Sequence, residues 1–533
     1  MPTPAPRPGS NVLAACLLVA AGLFPAGLFA AAPADAAEPL PPPQTPGVAV
    51  PAGQAEWAVA QLDGLVAELL ERSGLPGLAV AVVHRGETVY AKGFGLRRRG
   101  EPAAVDADTV FQLASVSKSI GATVVAQQLA AGVDWETPVS QHLPWFTLAD
   151  AWVGRSVTIG DLYGHRSGLP EHAGDDLEDL GYGRHEVLER LHLLPLHPFR
   201  AHYAYTNFGL TAAAEAVAAA AGLDWATLSE RSLYRPLGMT ATSSRFADFE
   251  ARENRAHGHV LGPEGYAPLH QRQPDAQSPA GGVSASVRDV AKWMALVLAN
   301  GRHEGRPLIA PKALLPAITA QSVASPSYAA DARPSFYGFG FNVAVQPSGR
   351  TSLGHSGAFA LGAATNFLMI PSLDLGIAVL SNAAPIGAVE ALAASFADLA
   401  QFGKVTRDWL PAYGARMEQM TAPVGSLVGQ PRPASPKPAR PRSAFVGRYA
   451  NAYFGEAVVE QRGETLVLLL GPERRAHALT HWDGDTFTYV PFGENAPAGS
   501  LSSVAFAGAG IGRATAVTVE FLDKNGLGTF SRQ

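Results

Sequence analysis

The stretch FQLASVSKSI, residues 111–120, contains a serine, Ser115, and a lysine, Lys118, spaced three residues apart. Apolar residues recur at every fourth position from Val116, which predicts a helix, and residues three apart lie on the same helix face. A serine hydroxyl is a weak nucleophile that needs an adjacent base, and a lysine in a closed site can lose its proton and become that base. The pair therefore predicts nucleophilic catalysis, with a solvated helix face as the alternative.

The second motif is Tyr205-Thr206-Asn207, which comes just before a predicted helix beginning near Gly209. A phenol near a serine and a lysine can carry protons between the attacking oxygen and the leaving group. An asparagine side chain both donates and accepts hydrogen bonds, which suits recognition of a substrate amide. The structural alternative for Asn207 is a helix cap.

The third motif is Gly354-His355-Ser356-Gly357, placed at the start of a predicted strand. Gly357 has no side chain and would let a ligand approach the backbone closely. A free N–H on the strand edge beyond Gly357, together with the N–H of Ser115, would form an oxyanion hole. His355 is a candidate contact for a substrate carboxylate or for the oxyanion, with a tight turn into a strand as the alternative.

Length and composition limit the classes of protein that need to be considered. The chain has 533 residues, 47% of them hydrophobic and 16% charged, which predicts more than one folded domain and argues against wholesale disorder. The formal net charge is −6 and no long basic run occurs, so we expect no nucleic-acid partner.

The N-terminus has the pattern of a secretory signal peptide over residues 1–37, with an apolar stretch from Val12 to Ala32 and small residues near Ala36 for cleavage. We therefore expect a periplasmic or secreted protein with no stable membrane span once the signal is removed. A retained anchor and lipidation at Cys16 are the alternatives. Cys16 is the single cysteine, so the mature protein would have no disulfide and no thiolate chemistry.

Proline-rich segments divide the rest of the chain. We expect a linker over residues 38–55, a catalytic domain over 56–405, a second linker over 406–442 and a domain of short strands over 443–533. Strands predicted near both ends of the catalytic domain flank a helical middle, which indicates a sheet assembled from both ends with a helical block inserted between them.

The order Ser-x-x-Lys, Tyr-x-Asn, His-x-Gly resembles the serine β-lactamase and penicillin-binding protein superfamily, and is most similar to its class C β-lactamase-related branch of peptidases and esterases. Four further segments resemble that family: residues 78–83, 164–170, 236–239 and 279–286. The resemblance implies an α/β (α+β) fold, with a β-lactamase/transpeptidase-like antiparallel sheet and a helical domain. The segments 445–449, 453–455 and 481–487 resemble a lipocalin-like domain, which implies a small C-terminal β-barrel.

By this resemblance, Ser115 is the nucleophile, and Lys118 and Tyr205 share the work of base and acid. Asn207 would hold the substrate amide, and the N–H groups of Ser115 and Ala358 would hold the oxyanion beside Gly357. His355 lies where many penicillin-recognising members carry a lysine. Because a histidine is charged only near or below its pKa of about 6.5, efficient β-lactam recognition is not expected.

The function that follows is a serine hydrolase that forms an acyl-enzyme at Ser115. The expected substrate is an amide in a small peptide, such as one with D-residues or of non-ribosomal origin, including linearised cyclic peptides. A carboxylesterase is the second hypothesis, and a β-lactamase or DD-carboxypeptidase the third. A catalytically silent binding protein of the same fold is the non-enzymatic alternative.

We predict no cofactor and no metal site. His192, His197 and His202 are evenly spaced, but prolines interrupt any shared helical face, and His185 lacks the second histidine of a zinc helix. The acidic run at residues 175–179 is interpreted as an exposed loop. The expected partner is a small peptide or ester substrate, and self-association into a homo-oligomer is one of the hypotheses. For the C-terminal barrel we consider three roles: a lid over the active site, a contact in such an oligomer, and a folding or solubility module.

Overall fold

The computed structural model describes residues 45–129, 132–508 and 512–533, of which residues 46–533 form one compact unit. The predicted signal peptide and residues 38–44 of the first predicted linker fall outside the described residues, and both stay predictions. Within the described residues, none of the helices has the length and apolar character needed to cross a membrane.

An eight-stranded antiparallel sheet forms the centre of the larger part of this unit, in the order β2-β1-β14-β13-β12-β11-β10-β9. The two hairpin strands from the start of the domain pair with strands from its end, since β1 lies beside β14. This confirms the predicted fold class and its assembly from both ends. The strands of this part are β1 Gly77–His84, β2 Glu87–Gly95, β3 Val110–Gln112, β4 Val260–Gly262, β5 Gly265–Ala267, β6 Ser284–Ser286, β7 Arg302–His303, β8 Arg306–Pro307, β9 Ser322–Ser325, β10 Ser335–Tyr337, β11 Asn342–Val345, β12 Thr351–Phe359, β13 Ala363–Ile370 and β14 Leu375–Ser381.

Helices cover both faces of this sheet, and most of them belong to the block between β2 and β9. The α-helices are α1 Gln54–Ala60, α2 Leu62–Ser73, α3 Val116–Gln128, α4 Ala151–Ser156, α5 Ile159–Tyr163, α6 Asp175–Asp179, α7 Arg184–Arg190, α8 Asn207–Ala220, α9 Trp225–Ser229, α10 Phe246–Glu250, α11 Ser278–Gly281, α12 Val287–Leu298, α13 Pro311–Leu314, α14 Ala388–Phe402 and α15 Trp409–Met420.

Strand β1 shows how the sequence builds two cores on one sheet, because successive side chains of a strand point to opposite faces. Leu78, Val80 and Val82 pack into the cluster formed with α1, α2 and α14. Ala79 and Ala81 face the larger cluster that includes α3, α8 and α12. All of these positions are buried, so the strand is apolar on both faces, as expected for a central strand covered by helices.

The C-terminal part is a closed barrel of eight antiparallel strands joined in sequence order. Its first and last strands close it through the pairs Tyr449–Arg532 and Ala450–Ser531. This confirms the predicted small barrel. The strands are β15 Gly447–Asn451, β16 Gly455–Arg462, β17 Thr465–Leu470, β18 Arg475–Asp483, β19 Thr486–Tyr489, β20 Ser502–Ala507, β21 Ala516–Val519 and β22 Thr529–Arg532.

Three local expectations were wrong. The acidic run at 175–179 is not an exposed loop but the helix α6, in which Asp175 and Glu178 are buried. The third motif, expected at the start of a strand, lies within β12, which pairs with β13 as a hairpin. The expected second linker, 406–442, contains α15, whose first turn is capped by the Asp408 side chain accepting from the N–H of Leu410.

Trp293 on α12 is a central packing residue that connects the sheet with the helix carrying Ser115. It is fully buried, its ring lies 4.9 Å from that of Phe367, and its indole N–H donates to Thr123 Oγ1 on α3 at 3.2 Å. Truncation of such a side chain is strongly destabilising, because the burial of its apolar atoms is lost and a cavity remains.

We expect Trp293→Ala to lower the free energy of unfolding by about 3–5 kcal/mol, measured from denaturant titrations of the full chain. The matched control is Trp152→Ala, since Trp152 is 60% exposed and its removal leaves no buried cavity. Equal midpoints for the two variants would contradict this account of the core.

Candidate active site

Ser115 stands at the N-terminus of α3, directly after a sharp turn in the chain. Ala114 adopts a left-handed conformation, with φ 46°, and is fully buried against Phe359 and Ala363. A left-handed non-glycine residue is uncommon and costs conformational energy, so the surrounding packing must hold it in place. Leu113 supplies part of that support, because its carbonyl accepts from Thr365 Oγ1 at 2.7 Å and its N–H donates to the Val283 carbonyl at 2.8 Å.

Lys118 lies one turn further along α3 and is completely buried, which excludes the solvated-face alternative. Its Nζ is 3.1 Å from Ser115 Oγ, 2.7 Å from Asn207 Oδ1 and 3.0 Å from the carbonyl oxygen of Ala280. The spacing in the sequence thus becomes a direct contact between the amine and the hydroxyl. Once Nζ is neutral it carries a lone pair, and the Ser115 hydroxyl can donate to it.

Burial lowers the pKa of Lys118 from its usual value to about 7, and the carboxylate of Asp175 opposes this shift. A lysine with such a pKa exists in both protonation states near neutral pH. That is the condition that a general base must satisfy, since it has to be free of its proton before the reaction and able to hold one during it.

Tyr205 and Asn207 approach the same lysine from the start of α8. The Lys118 Nζ lies 4.6 Å from the centre of the Tyr205 ring. Burial raises the pKa of Tyr205 far above its ordinary range, and contact with the Ser115 hydroxyl acts in the opposite direction. The phenol therefore keeps its proton at neutral pH and lies beside Ser115.

The Asn207 side chain is bound at both ends within the protein. Its Oδ1 accepts from Lys118, and its Nδ2 donates to Asp175 Oδ2 at 2.9 Å. The helix-cap alternative is excluded, because Thr206 holds the cap position and α8 has no side-chain cap hydrogen bond. Asn207 therefore binds the lysine through its Oδ1. The second Nδ2 hydrogen, which Asp175 does not use, remains for a substrate amide.

Gly357 and Ala358 form the wall opposite Ser115. Strand β11 pairs only with residues 351–354 of β12, so the remainder of that β12 edge faces the start of α3. A Cβ at Gly357 would overlap the Leu113 carbonyl oxygen and Thr365 Oγ1, and would lie 3.0 Å from the Ser115 nitrogen. The close approach that Gly357 permits is therefore that of the protein's own chain, not of a ligand as the sequence suggested. Ala358, the next residue, is exposed.

His355 makes different contacts from those expected. Its Nε2 accepts from the Tyr337 hydroxyl at 2.8 Å, and its Nδ1 bonds the carbonyl oxygen of Ser356 at 2.7 Å. Burial, reinforced by the charge of Lys118, lowers the pKa of His355 to about 3. The imidazole is neutral and both nitrogens are engaged, so it offers no cation to a substrate carboxylate.

Three further residues complete the site and were not identified from the sequence. Asp175 is buried and holds Asn207, and His172 Nδ1 lies 2.9 Å from the same Asp175 oxygen. His165 has a left-handed backbone, accepts from the Thr206 N–H at 3.2 Å and lies with its ring 4.6 Å from that of Tyr205. His165 could have been identified from the sequence, because it stands in one of the family-like segments. Asp175 could not, because the acidic run that contains it carries no signal of a functional site.

Across the residues that the structure describes, no group of three or more histidine, cysteine, aspartate or glutamate side chains has the geometry to hold a metal ion. A cavity of about 840 Å³ lies between the helical block and the barrel, lined by residues that include Glu178, Arg272 and Glu494. The seven predicted site residues are not among its described lining residues, so it adjoins the site rather than containing it.

The fold and the Ser115–Lys118 contact define a serine hydrolase of the penicillin-recognising type. A family model described as Beta-lactamase matches residues 62–402, and the chain belongs to this family. A second model, for a domain of unknown function (DUF3471), matches residues 431–528, which include the barrel strands β15 to β21 but not β22.

Similar proteins fall in the same class. The chain is 26% identical over 449 residues to the unguisins hydrolase ungD' of Aspergillus campestris (strain IBT 28561), covering 80% of this chain and 81% of that protein. It is 28% identical over 358 residues to esterase EstB of Burkholderia gladioli, covering 60% and 89%. The structure of the octameric penicillin-binding protein homologue from Pyrococcus abyssi superposes with a TM-score of 0.57 at 19% identity, covering 87% of this chain and 98% of that one, which shows the shared fold.

We expect Gly357→Ala to reduce the rate of serine acylation by about tenfold or more, because the added Cβ pushes β12 away from the Ser115 backbone. A loss of about 1.4 kcal/mol of transition-state stabilisation already lowers the rate tenfold. The measurement is the rate of Ser115 labelling by a fluorophosphonate in folded protein. Gly64→Ala is the matched control, because a Cβ there meets no atom within 4 Å. Labelling of the Gly357 variant at the control's rate would refute the close approach.

Proposed function

We propose that this protein is a peptide amidase that forms an acyl-enzyme at Ser115 and releases the acyl group to water. The observation that carries the proposal is the contact of 3.1 Å between Ser115 Oγ and the buried Lys118 Nζ. A buried amine with its pKa lowered to about 7 has no evident structural purpose, whereas a base beside a hydroxyl has a chemical one.

In the proposed reaction, Ser115 Oγ attacks the substrate carbonyl carbon while its proton moves to Lys118 Nζ. The N–H groups of Ser115 and Ala358 receive the negative oxygen of the tetrahedral intermediate. Collapse of the intermediate breaks the C–N bond, and the Tyr205 hydroxyl donates the proton that the leaving amine needs. Lys118 returns its proton to Tyr205, and water then cleaves the ester by the same steps in reverse.

The state of Tyr205 favours an amide over an ester. An amine leaves only after protonation, whereas an alkoxide leaves more readily without a donor, so amide cleavage gains most from a phenol that keeps its proton beside the reacting oxygen. The relative named for hydrolysis of unguisins, similar over 80% of this chain, supports a hydrolase of a discrete natural product. We therefore propose small peptides, including non-ribosomal ones, as the substrate class.

A carboxylesterase is the second candidate, and the similarity to esterase EstB over 60% of the chain favours it. A β-lactamase or DD-carboxypeptidase is disfavoured by His355, because these substrates carry a carboxylate that is best met by a cation. The neutral imidazole already bonded to Tyr337 does not supply one. A silent binding protein is disfavoured because the base, the hydroxyl and the phenol are all in place.

A substrate screen with a matched pair of serine variants tests the proposal. We expect purified protein to cleave short peptide anilides, and Ser115→Ala to reduce that rate to background, because the nucleophile is removed. Ser327→Ala, at an exposed serine, serves as the control and should retain full activity. Turnover of nitrophenyl esters without any turnover of anilides would overturn the amidase assignment in favour of the esterase.

The pH dependence of kcat/KM provides a separate test of the base. Lys118 acts only when it is neutral. Activity should therefore rise with pH through an apparent pKa of about 7 and be lost at lower pH. His172 also titrates: burial lowers its pKa, but the hydrogen bond with Asp175 and the charges of Asp175 and Glu171 together raise it above its ordinary value. His172→Gln should leave the acid limb in place and Lys118→Ala should abolish acylation. Disappearance of the limb in the histidine variant would refute the assignment to Lys118.

A further inference from the structure

We propose that Asp175 is a positioning residue that orients Asn207 toward Lys118, and that the C-terminal barrel holds Asp175 in place through the loop Gly493-Glu494-Asn495. This inference rests on the proposed function, because it concerns the same lysine. It gives the barrel a defined part in catalysis, distinct from a lid or an oligomer contact.

Asp175 sits where an unaided carboxylate would be unfavourable, because its side chain is only 3% exposed. Its Oδ2 accepts from Asn207 Nδ2 at 2.9 Å and lies 2.9 Å from His172 Nδ1. Its Oδ1 has no hydrogen-bond partner among the described residues. The carboxylate is thus committed to the asparagine that contacts the lysine.

The chemistry of the two side chains fixes the direction of the contact. An asparagine amide can present either its oxygen or its nitrogen to a neighbour, whereas a carboxylate only accepts. Asp175 therefore selects the orientation in which Nδ2 points to it and Oδ1 points to Lys118, 2.7 Å away. The opposite orientation would place the amide nitrogen against the lysine amine and would turn the amide oxygen toward the carboxylate, where neither group can donate.

The barrel binds both ends of α6, the short helix that begins with Asp175. Asp179 accepts from the backbone N–H groups of Glu494 and Asn495 at 3.1 and 2.9 Å, and Asn495 Nδ2 reaches the Asp175 carbonyl oxygen at 3.4 Å. Lys524 forms an ion pair with Asp176 at 3.0 Å. A five-residue helix has little stability of its own, so its place is set by the hydrogen bonds from residues 494 and 495, whereas the partly exposed ion pair of Lys524 contributes little.

The same barrel loop also reaches the opposite wall of the site. The Glu494 carboxylate accepts from the N–H of Ala360 at 2.6 Å and from that of Leu361 at 3.3 Å, directly after the end of β12. Strand β12 carries Gly357 and Ala358, which face Ser115. One loop therefore spans from the helix behind the base to the strand of the oxyanion wall.

The groups around Lys118 give Asp175 a second, electrostatic effect. Tyr205, His165, His355 and Asp175 face the amine from four different segments. Burial lowers the pKa of both histidines and raises that of the tyrosine, so these three are uncharged at neutral pH. The carboxylate opposes the lowering of the lysine pKa, and its loss should lower that pKa further.

Two substitutions at Asp175 separate orientation from charge. Asp175→Ala removes the acceptor, so we expect the fluorophosphonate labelling rate of Ser115 to fall about 10- to 100-fold, the cost of losing a charge-assisted hydrogen bond. Asp175→Asn keeps an acceptor and removes the charge, so we expect a smaller loss and a shift of the acid limb of kcat/KM to lower pH. Asp176→Asn, on the same helix, is the control and should change neither.

The outcomes distinguish this inference from the proposed function. If wild-type Ser115 is not labelled, the proposed function fails. If it is labelled, and both Asp175 variants keep the wild-type rate and acid limb, the inference fails while the proposed function stands. A folded Asp175→Asn variant with a lowered limb supports the inference even if Asp175→Ala does not fold, since a purely structural role would not move a titration.

The contribution of the barrel is tested in the full-length chain with Asn495→Ala. Loss of its hydrogen bonds to α6 should slow labelling about threefold to tenfold, in line with one or two net hydrogen bonds. Lys524→Ala is the matched control, because it removes an exposed ion pair to α6 that does not contact Asp175 or Asp179. Equal labelling rates for Asn495→Ala and wild type would overturn the role of the barrel loop.

Discussion

The burial of one amine organises the centre of this protein. A lysine removed from water loses several kcal/mol of hydration unless hydrogen-bond acceptors replace it, and Lys118 finds acceptors on three separate segments. They are Ser115 on its own helix, Asn207 at the start of α8 and the Ala280 carbonyl on α11. Helices α8 and α11 must therefore meet α3 at this point, which explains why a helical block is inserted between the two halves of the sheet.

The opposite side of the site depends on a backbone constraint instead of a charge. The left-handed turn at Ala114 presents Ser115, and the chain before it occupies the space that a side chain at position 357 would fill. Residues 113–115 and strand β12 thus fit together before any substrate arrives. Preorganised N–H groups are effective because their orientation costs nothing at the moment of reaction.

The Ser115–Lys118 contact and many of the helices and strands could be predicted from sequence, because they depend on residues that are close together in the chain. Ser115 and Lys118 are neighbours on a helix, and short strands separated by turns indicate a β domain at the C-terminus, whereas the antiparallel sheet and the barrel were implied by the family resemblance. What could not be predicted depends on distant partners. Asp179 looks solvated in sequence because its partners, the N–H groups of residues 494 and 495, are 315 and 316 positions away. The sequence suggests that His355 contacts a ligand, but in the structure its Nε2 is already bonded to the Tyr337 hydroxyl.

The charges around the site explain how these parts act together. Before attack, the proposed base is neutral, the side chains of His165, His355 and Tyr205 that face it are neutral, and Asp175 is the nearby carboxylate. In the proposed reaction, transfer of the Ser115 proton creates an ammonium within reach of Asn207 and Asp175, and attack of Oγ on the carbonyl carbon creates an oxyanion beside two N–H groups. Both new charges appear where the protein has already placed a complementary group, whereas the uncharged ground state gains little from either. The arrangement favours the transition state over the bound substrate, which is the requirement for catalysis.

The same charges explain why the carboxylate of Asp175 contacts the lysine through the Asn207 amide and not directly. A carboxylate in contact with Nζ would hold the lysine in its charged form, whereas one acting through Asn207 stabilises the charge once formed and still permits the neutral base.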